Sequence, residues 1–149
     1  MGAEFGVRLA LDWGTARIGV AACDSAGVLA YPVESVPNTT GALSRIAQLV
    51  TQYAPAEIVM GMPFNLAGRE AQAATAVREH AQEVADALQL PVRLVDERLT
   101  TAQATKELRA AGRSTRHTRD VIDQVAAVAL LRYVLDCVSD PNYEVVVPR

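Results

Sequence analysis

Cysteine is scarce in this sequence. The 149 residues hold two, Cys23 and Cys137, far apart and in no Cys-x-x-Cys pair. That spacing indicates neither a zinc ribbon nor a disulfide framework, so buried free thiols in a reducing cytoplasm are the expectation. No apolar run reaches the roughly 18 residues of a membrane span. No secretory signal is visible either, and a cytoplasmic protein without a membrane partner is expected. Aromatic residues make up only 5% of a chain that is 50% hydrophobic, the Ala/Val/Leu-rich balance of many α/β proteins. A basic surplus is missing: the net charge is −3. This argues against a wholly phosphate-gripping surface but leaves room for a local basic patch. Internal repeats, low-complexity segments and linkers are absent. The length suggests one domain, large enough to bury a core without staples. The opening MGAEFG reads as a cloning remnant or disordered lead-in, leaving 7–149 as the single folded domain.

The patterning that remains alternates between strand and helix. Val7–Leu11 is an apolar run ending in Asp12. Arg17–Ala22 follows the short DWGTAR link, and Val28–Val36 follows the turn-rich DSAG. Links this short predict an antiparallel meander. Pro32 inside the third run predicts an edge strand, because proline cannot donate to a ladder. Residues 40–53 then show helical spacing at Leu43, Ile46, Ala47 and Val50. Glu57–Met60 reads as a buried strand, GMPFNLAGRE as a loop, 69–89 as an Ala-rich helix and Pro91–Val95 as a strand. Thr100 with Gln103 forms a capping box for a helix ended by Gly112. GRSTRHTR reads as a loop and 119–137 as the last helix, while the YEVVV near the end fits a short strand or a tail. The order β-β-β-α-β-α-β-α-α predicts a mixed five-stranded sheet flanked by helices. Ligands of such sheets bind at the C-terminal strand ends.

Acidic residues stand at those predicted ends. VRLVDERLTT carries Asp96 and Glu97 directly after an apolar strand. If its strand lies near the first, Glu97 and Asp12 project from one edge. RDVIDQVAAVALL offers a third acid, Asp123, with Ala126 and Ala127 on the same helix face. Small residues there let the helix press on the sheet. Acids crowded together resist ionisation unless a cation is present. Carboxylates without histidine or cysteine suit a hard cation, Mg²⁺ or Mn²⁺. Two such ions about 4 Å apart support phosphodiester hydrolysis. Blander roles stay open. Asp12 can cap the turn at Gly14, Glu97 can pair with Arg98 or Arg93, and Asp123 can answer a helix dipole in a first turn.

Four motifs together, LALDWGTARIGVAACD, IVMGMPFNLAGRE, VDERLTTAQA and DQVAAVALL, resemble the YqgF/RuvX family in order and spacing. The resemblance covers nearly the whole chain. It implies a ribonuclease H-like fold and a nuclease, described either as a Holliday junction resolvase or as processing the 5′ end of the 16S rRNA precursor. It implies the acidic triad Asp12, Glu97 and Asp123 and makes Asp96 auxiliary; the expectation for two ions is that Asp12 bridges them while Glu97 and Asp123 each complete one site. In one place the chain departs from the family, whose middle loop often reads Asn-Met-Asp-Gly. Here it is Asn65-Leu66-Ala67-Gly68, which puts a metal role for that loop in doubt while its amides remain suited to a phosphate.

Candidate nucleic-acid contacts are Arg17, Asn65, Arg69, Arg98, Arg113, Arg116 and Arg119, with His117 in the last cluster. Such contacts give salt-dependent affinity without sequence readout. A homodimer would suit two symmetric cuts in a junction. Two further readings compete. DWGT resembles the phosphate-binding turn of actin- and Hsp70-type ATPases, but no second such turn is present. A non-catalytic RNA-binding assembly factor is the other.

Overall fold

The computed structural model describes residues 6–14, 16–62, 70–96, 116–136 and 144–149, with side chains left aside at 62, 70–74 and 116–122. The meander forms as predicted. Strand β1 (Arg8–Trp13) pairs antiparallel with β2 (Arg17–Cys23), which pairs antiparallel with β3 (Ala30–Pro37). The β2–β3 turn closes because the Asp24 carboxylate accepts the N–H groups of Val28 and Leu29, and Gly27 supplies a positive φ of 73°. Strand β3 is an edge. Opposite Val20 and Ala21 it carries an extra residue, Val33, between Pro32 and Glu34. This bulge accommodates the proline without a lost ladder bond on a neighbour.

Helix α1 (Ala42–Tyr53) buries Ala42, Ile46 and Leu49, and ends where Ala54 turns left-handed before Pro55. Next come β4 (Glu57–Met62), α2 (Glu70–Leu88), β5 (Val92–Asp96), α3 (Arg116–Asp136) and β6 (Glu144–Val146). The sheet order is β3-β2-β1-β4-β5-β6, with β1–β4 and β4–β5 parallel and β5–β6 antiparallel. The sheet therefore has six strands, not the expected five. The extra one is the YEVVV segment, whose ladder partner β5 lies some fifty residues earlier and leaves no local sign. The last helix starts at Arg116, inside the stretch read as a loop. The capping-box helix expected from Thr100 lies outside the described residues. Among those described, no helix is long and apolar enough to cross a membrane.

The two faces of the sheet are built differently. One presents Leu9, Leu11, Ile18, Val20, Ile58, Met60, Val92 and Leu94 to α1 and α2. Each such side chain contributes about 1.5–3 kcal/mol when fully buried. The other face presents Ala10, Ala21, Cys23, Val59 and Val95 to Ala126, Ala127, Leu130, Leu131 and Val134 of α3. Short side chains on both partners bring that helix close. Cys23 is a buried free thiol, as expected, and burial pushes its pKa up. Cys137 lies outside the described residues.

Candidate active site

Strand alternation decides where the first acid points. Leu9 and Leu11 face α1 and α2, so Ala10 and Asp12 face α3. Asp12 is 1% exposed. Its ladder partner on β2 is Gly19. A Cβ at Gly19 would overlap the backbone carbonyl of Asp123 and lie 3.1 Å from the Asp123 Cβ. The glycine is thus the seat of α3, and it brings Asp123, also 1% exposed, over the row that holds Asp12. Ala126 and Ala127, both fully buried, continue the close approach one turn on. Gln124 Nε2 donates to Ser35 Oγ at 3.3 Å, and Ser35 is the partner of Gly19 on β3. The helix packs over β1, β2 and β3.

The Gly14 N–H donates to the Arg17 carbonyl in the β1–β2 turn. Helix α3 has no acid in its first turn; Asp123 sits about two turns in, beyond reach of the helix terminus. Asp123 Oδ2 instead accepts a hydrogen bond from Arg17 Nε at 2.9 Å. Arg17, expected at a phosphate, lies on a buried acid. Asp12 has a partner in the structure, yet its buried Oδ1 accepts no hydrogen bond from a described residue.

Parallel pairing of β1, β4 and β5 puts their C-terminal ends on one edge. Asp96 ends β5 there, paired with Met62. Glu97 follows it and lies outside the described residues, as do Asn65, Arg69, Arg98 and Arg113. Arg116, His117 and Arg119 form the first turn of α3, one to two turns ahead of Asp123. Among the described residues no three metal-ligating side chains meet; Asp12 and Asp123 both adjoin Gly19. Both offer buried carboxylate oxygens, and Asp123 is also paired with Arg17. That set fits a hard divalent ion.

A second charged cluster, not anticipated from the sequence, lies at the opposite ends of the same strands. Glu57 Oε1 accepts from Arg8 Nε at 2.6 Å and from Arg93 Nε at 2.8 Å, and Oε2 accepts from Arg93 Nη2 at 3.2 Å. Burial pushes the Glu57 carboxyl up, but the two arginines outweigh it and hold its pKa below the ordinary value. The available signal was an arginine at an inward position of each of two apolar strands.

A mixed sheet with acids at the C-terminal edge under a closely seated helix is the frame of the ribonuclease H-like nucleases. A solved structure bears this out at the level of fold: Thermus thermophilus RuvC in complex with a Holliday junction substrate superimposes with a TM-score of 0.56, covering 94% of this chain and 99% of that one at 13% identity. The family model for RuvX, described as Holliday junction resolvase, matches residues 6–137, and the chain belongs to that family. It is similar to a Cutibacterium acnes protein named as a pre-16S rRNA nuclease, at 50% identity over 132 residues, 88% of this chain and 82% of that one. A Streptomyces coelicolor protein of the same name is 51% identical over 134 residues, 88% of this chain and 80% of the other. The protein is an enzyme, a nuclease.

Proposed function

We propose that this nuclease is a metal-dependent endonuclease that processes the 5′ end of the 16S rRNA precursor, with Asp12, Glu97 and Asp123 as its metal ligands and catalytic acids. The carrying observation is the burial of Asp12 and Asp123 around Gly19 at the edge where residue 97 follows β5. Carboxylate oxygens buried close together suit a hard divalent cation. Mg²⁺ or Mn²⁺, most simply as two ions, would supply activation of the attacking water and stabilisation of the leaving oxygen. The chain's own part is to fix the acids: β1 aims Asp12, and Gly19 with Ala126 and Ala127 lowers Asp123 onto the same row. Arg116 and Arg119 on the first turn of α3, with Asn65, Arg69, Arg98 and Arg113, are the proposed phosphate contacts. On this reading the protein works in the cytoplasm.

The names carried by relatives at about half identity favour the rRNA substrate. A second reading, cutting a four-way DNA junction as a homodimer, is favoured by the family description and the fold of RuvC. One panel separates them: a precursor RNA spanning the 5′ end of 16S rRNA, a four-way DNA junction and duplex DNA, each with Mn²⁺ or Mg²⁺. Wild-type protein is expected to cut the RNA, and the Asp12→Asn variant to cut nothing. Junction cleavage by a dimer would transfer the assignment to the second reading. RNA binding by a well-folded protein that cuts nothing would leave an assembly factor.

A further inference from the structure

We propose that His80 is a positioning residue for Asp12: its imidazole, crossed with the indole of Trp13, braces the end of β1 from α2. This rests on the reading of Asp12 as a catalytic acid. The two ring centroids stand 4.3 Å apart at an interplanar angle of 81°, a T-shaped contact. Aromatic pairs of this kind prefer a defined mutual orientation, which an aliphatic side chain does not impose. Trp13 is the last residue of β1 and the direct neighbour of Asp12. Successive residues of a strand point to opposite faces, so Asp12 faces α3 while Trp13 faces α2. Any roll of the strand end turns both side chains together.

Trp13 sits where a brace has leverage. The β1–β4 ladder runs from Arg8 to Leu11, and Trp13 lies two residues beyond it, paired with Ile18 of β2. The turn that follows is tied just past the end of β3, where Asn38 Nδ2 donates to the Gly14 carbonyl at 2.7 Å. On the α2 side the ring contact supplies the tie. For packing alone His80 is a poor choice. Val77, Ala81 and Val84 around it on α2 pack against the core, and its Nε2 is buried without a hydrogen-bond partner among the described residues. Nδ1 stands 3.8 Å from Glu83, whose side chain is 73% exposed. A buried polar atom left so costs stability that an aliphatic residue would not cost. Such a cost persists where function requires the residue. A catalytic carboxylate has to be held within about 0.5 Å of its working place, so a small roll of the strand end reaches the chemistry.

The test uses the full chain. Trp13 is its single tryptophan, so the emission spectrum reads this contact alone. His80→Leu fills similar space without a ring. Its emission should shift, and its Tm should equal or exceed that of wild type. Its kcat, on whichever nucleic acid of the panel is cut, should fall about tenfold with KM within about twofold. His80→Phe restores a ring and should recover kcat to within about twofold of wild type. Trp13→Leu should fall alongside His80→Leu, and the double variant should be no slower than either, as expected of two residues acting as a unit. If His80→Leu folds poorly, His80→Gln takes its place. Where wild type binds Mn²⁺ but cuts nothing, Mn²⁺ affinity by titration calorimetry decides, with about a threefold loss expected in His80→Leu. Unshifted emission, wild-type kcat in His80→Leu, unchanged Mn²⁺ affinity where that decides, or a loss that His80→Phe does not recover would each overturn the proposal and leave His80 as packing. Asp12→Asn separates the two levels. Loss of cleavage there, with His80→Leu like wild type, overturns only the brace. Full cleavage by Asp12→Asn, or a wild type that neither cuts nor binds Mn²⁺, overturns the reading of Asp12 and the brace with it.

Discussion

The strands β1, β4 and β5 carry charge at both ends of the face that α3 covers, and the two ends are opposites. At the start of the strands one glutamate, Glu57, is held by two arginines, Arg8 and Arg93. At the finish two buried aspartates, Asp12 and Asp123, stand about Gly19, and Arg17 pairs with Asp123. The first arrangement is closed: every oxygen of Glu57 is used, and its depressed pKa records a net gain from the arginines. At the second, the buried Oδ1 of Asp12 accepts no hydrogen bond from a described residue. A buried oxygen left so costs stability and persists where function requires it. The closed end locks the sheet, and the open end is where chemistry is proposed.

The sharpest way to separate the ends is to neutralise an acid at each. Asp12→Asn should lower cleavage by about 1,000-fold or more, a barrier increase on the order of 4 kcal/mol. Its unfolding free energy in urea should be equal to or above that of wild type, because one of two crowded charges is gone. A less stable variant with normal activity would break the comparison. Next in size is Gly19→Ala. The added methyl collides with the Asp123 backbone, which has no side-chain freedom to give way. About 3 kcal/mol of stability should be lost in urea titrations, together with most of the cleavage.

Glu57→Gln should do the reverse of Asp12→Asn, costing about 2 kcal/mol at pH 7 while Mn²⁺ binding stays unaltered. Its pH signature follows from the depressed pKa. Stabilisation by Glu57 is present above the unfolded value of about 4.3 and is lost as pH falls through the lower folded value. The gap between variant and wild type should therefore narrow in unfolding curves taken below about pH 4. Least affected will be Arg45→Ala. Arg45 pairs with Glu34 at 2.6 Å on the other face, but the pair is partly solvated. Only a small loss, within the scatter of urea titrations, is expected, and a clear loss would show that the α1 face also depends on charge.

The sequence reading succeeded where the signal was local. Alternation and short links announced β1 to β3, Pro32 marked the edge, and the helical spacing of Ile46, Ala47 and Val50 matched α1. Residue chemistry in motif context picked out Asp12 and Asp123, which the fold brings to one row. What failed depended on contacts between distant parts of the chain. Strand β6 is three residues long and exists only because β5 offers it an edge. Arg17 gave no hint that its partner would be an aspartate 106 positions away. Glu57 looked like the polar start of a buried strand, and its arginines come from β1 and β5. Glu97 lies outside the described residues, so the third acid still rests on motif and position.

The end of the chain has a practical use. After β6, Gln82 Nε2 donates to the Val147 carbonyl and the Arg149 N–H donates to Asp86 Oδ1, tying the last residues along α2. Asp86 lies near the end of α2 that leads into the start of β5, across the sheet from Asp12. A biotin handle or fluorophore joined behind Arg149 would therefore leave the acid edge facing outward, so single molecules tethered to a glass surface could be watched taking up nucleic acid.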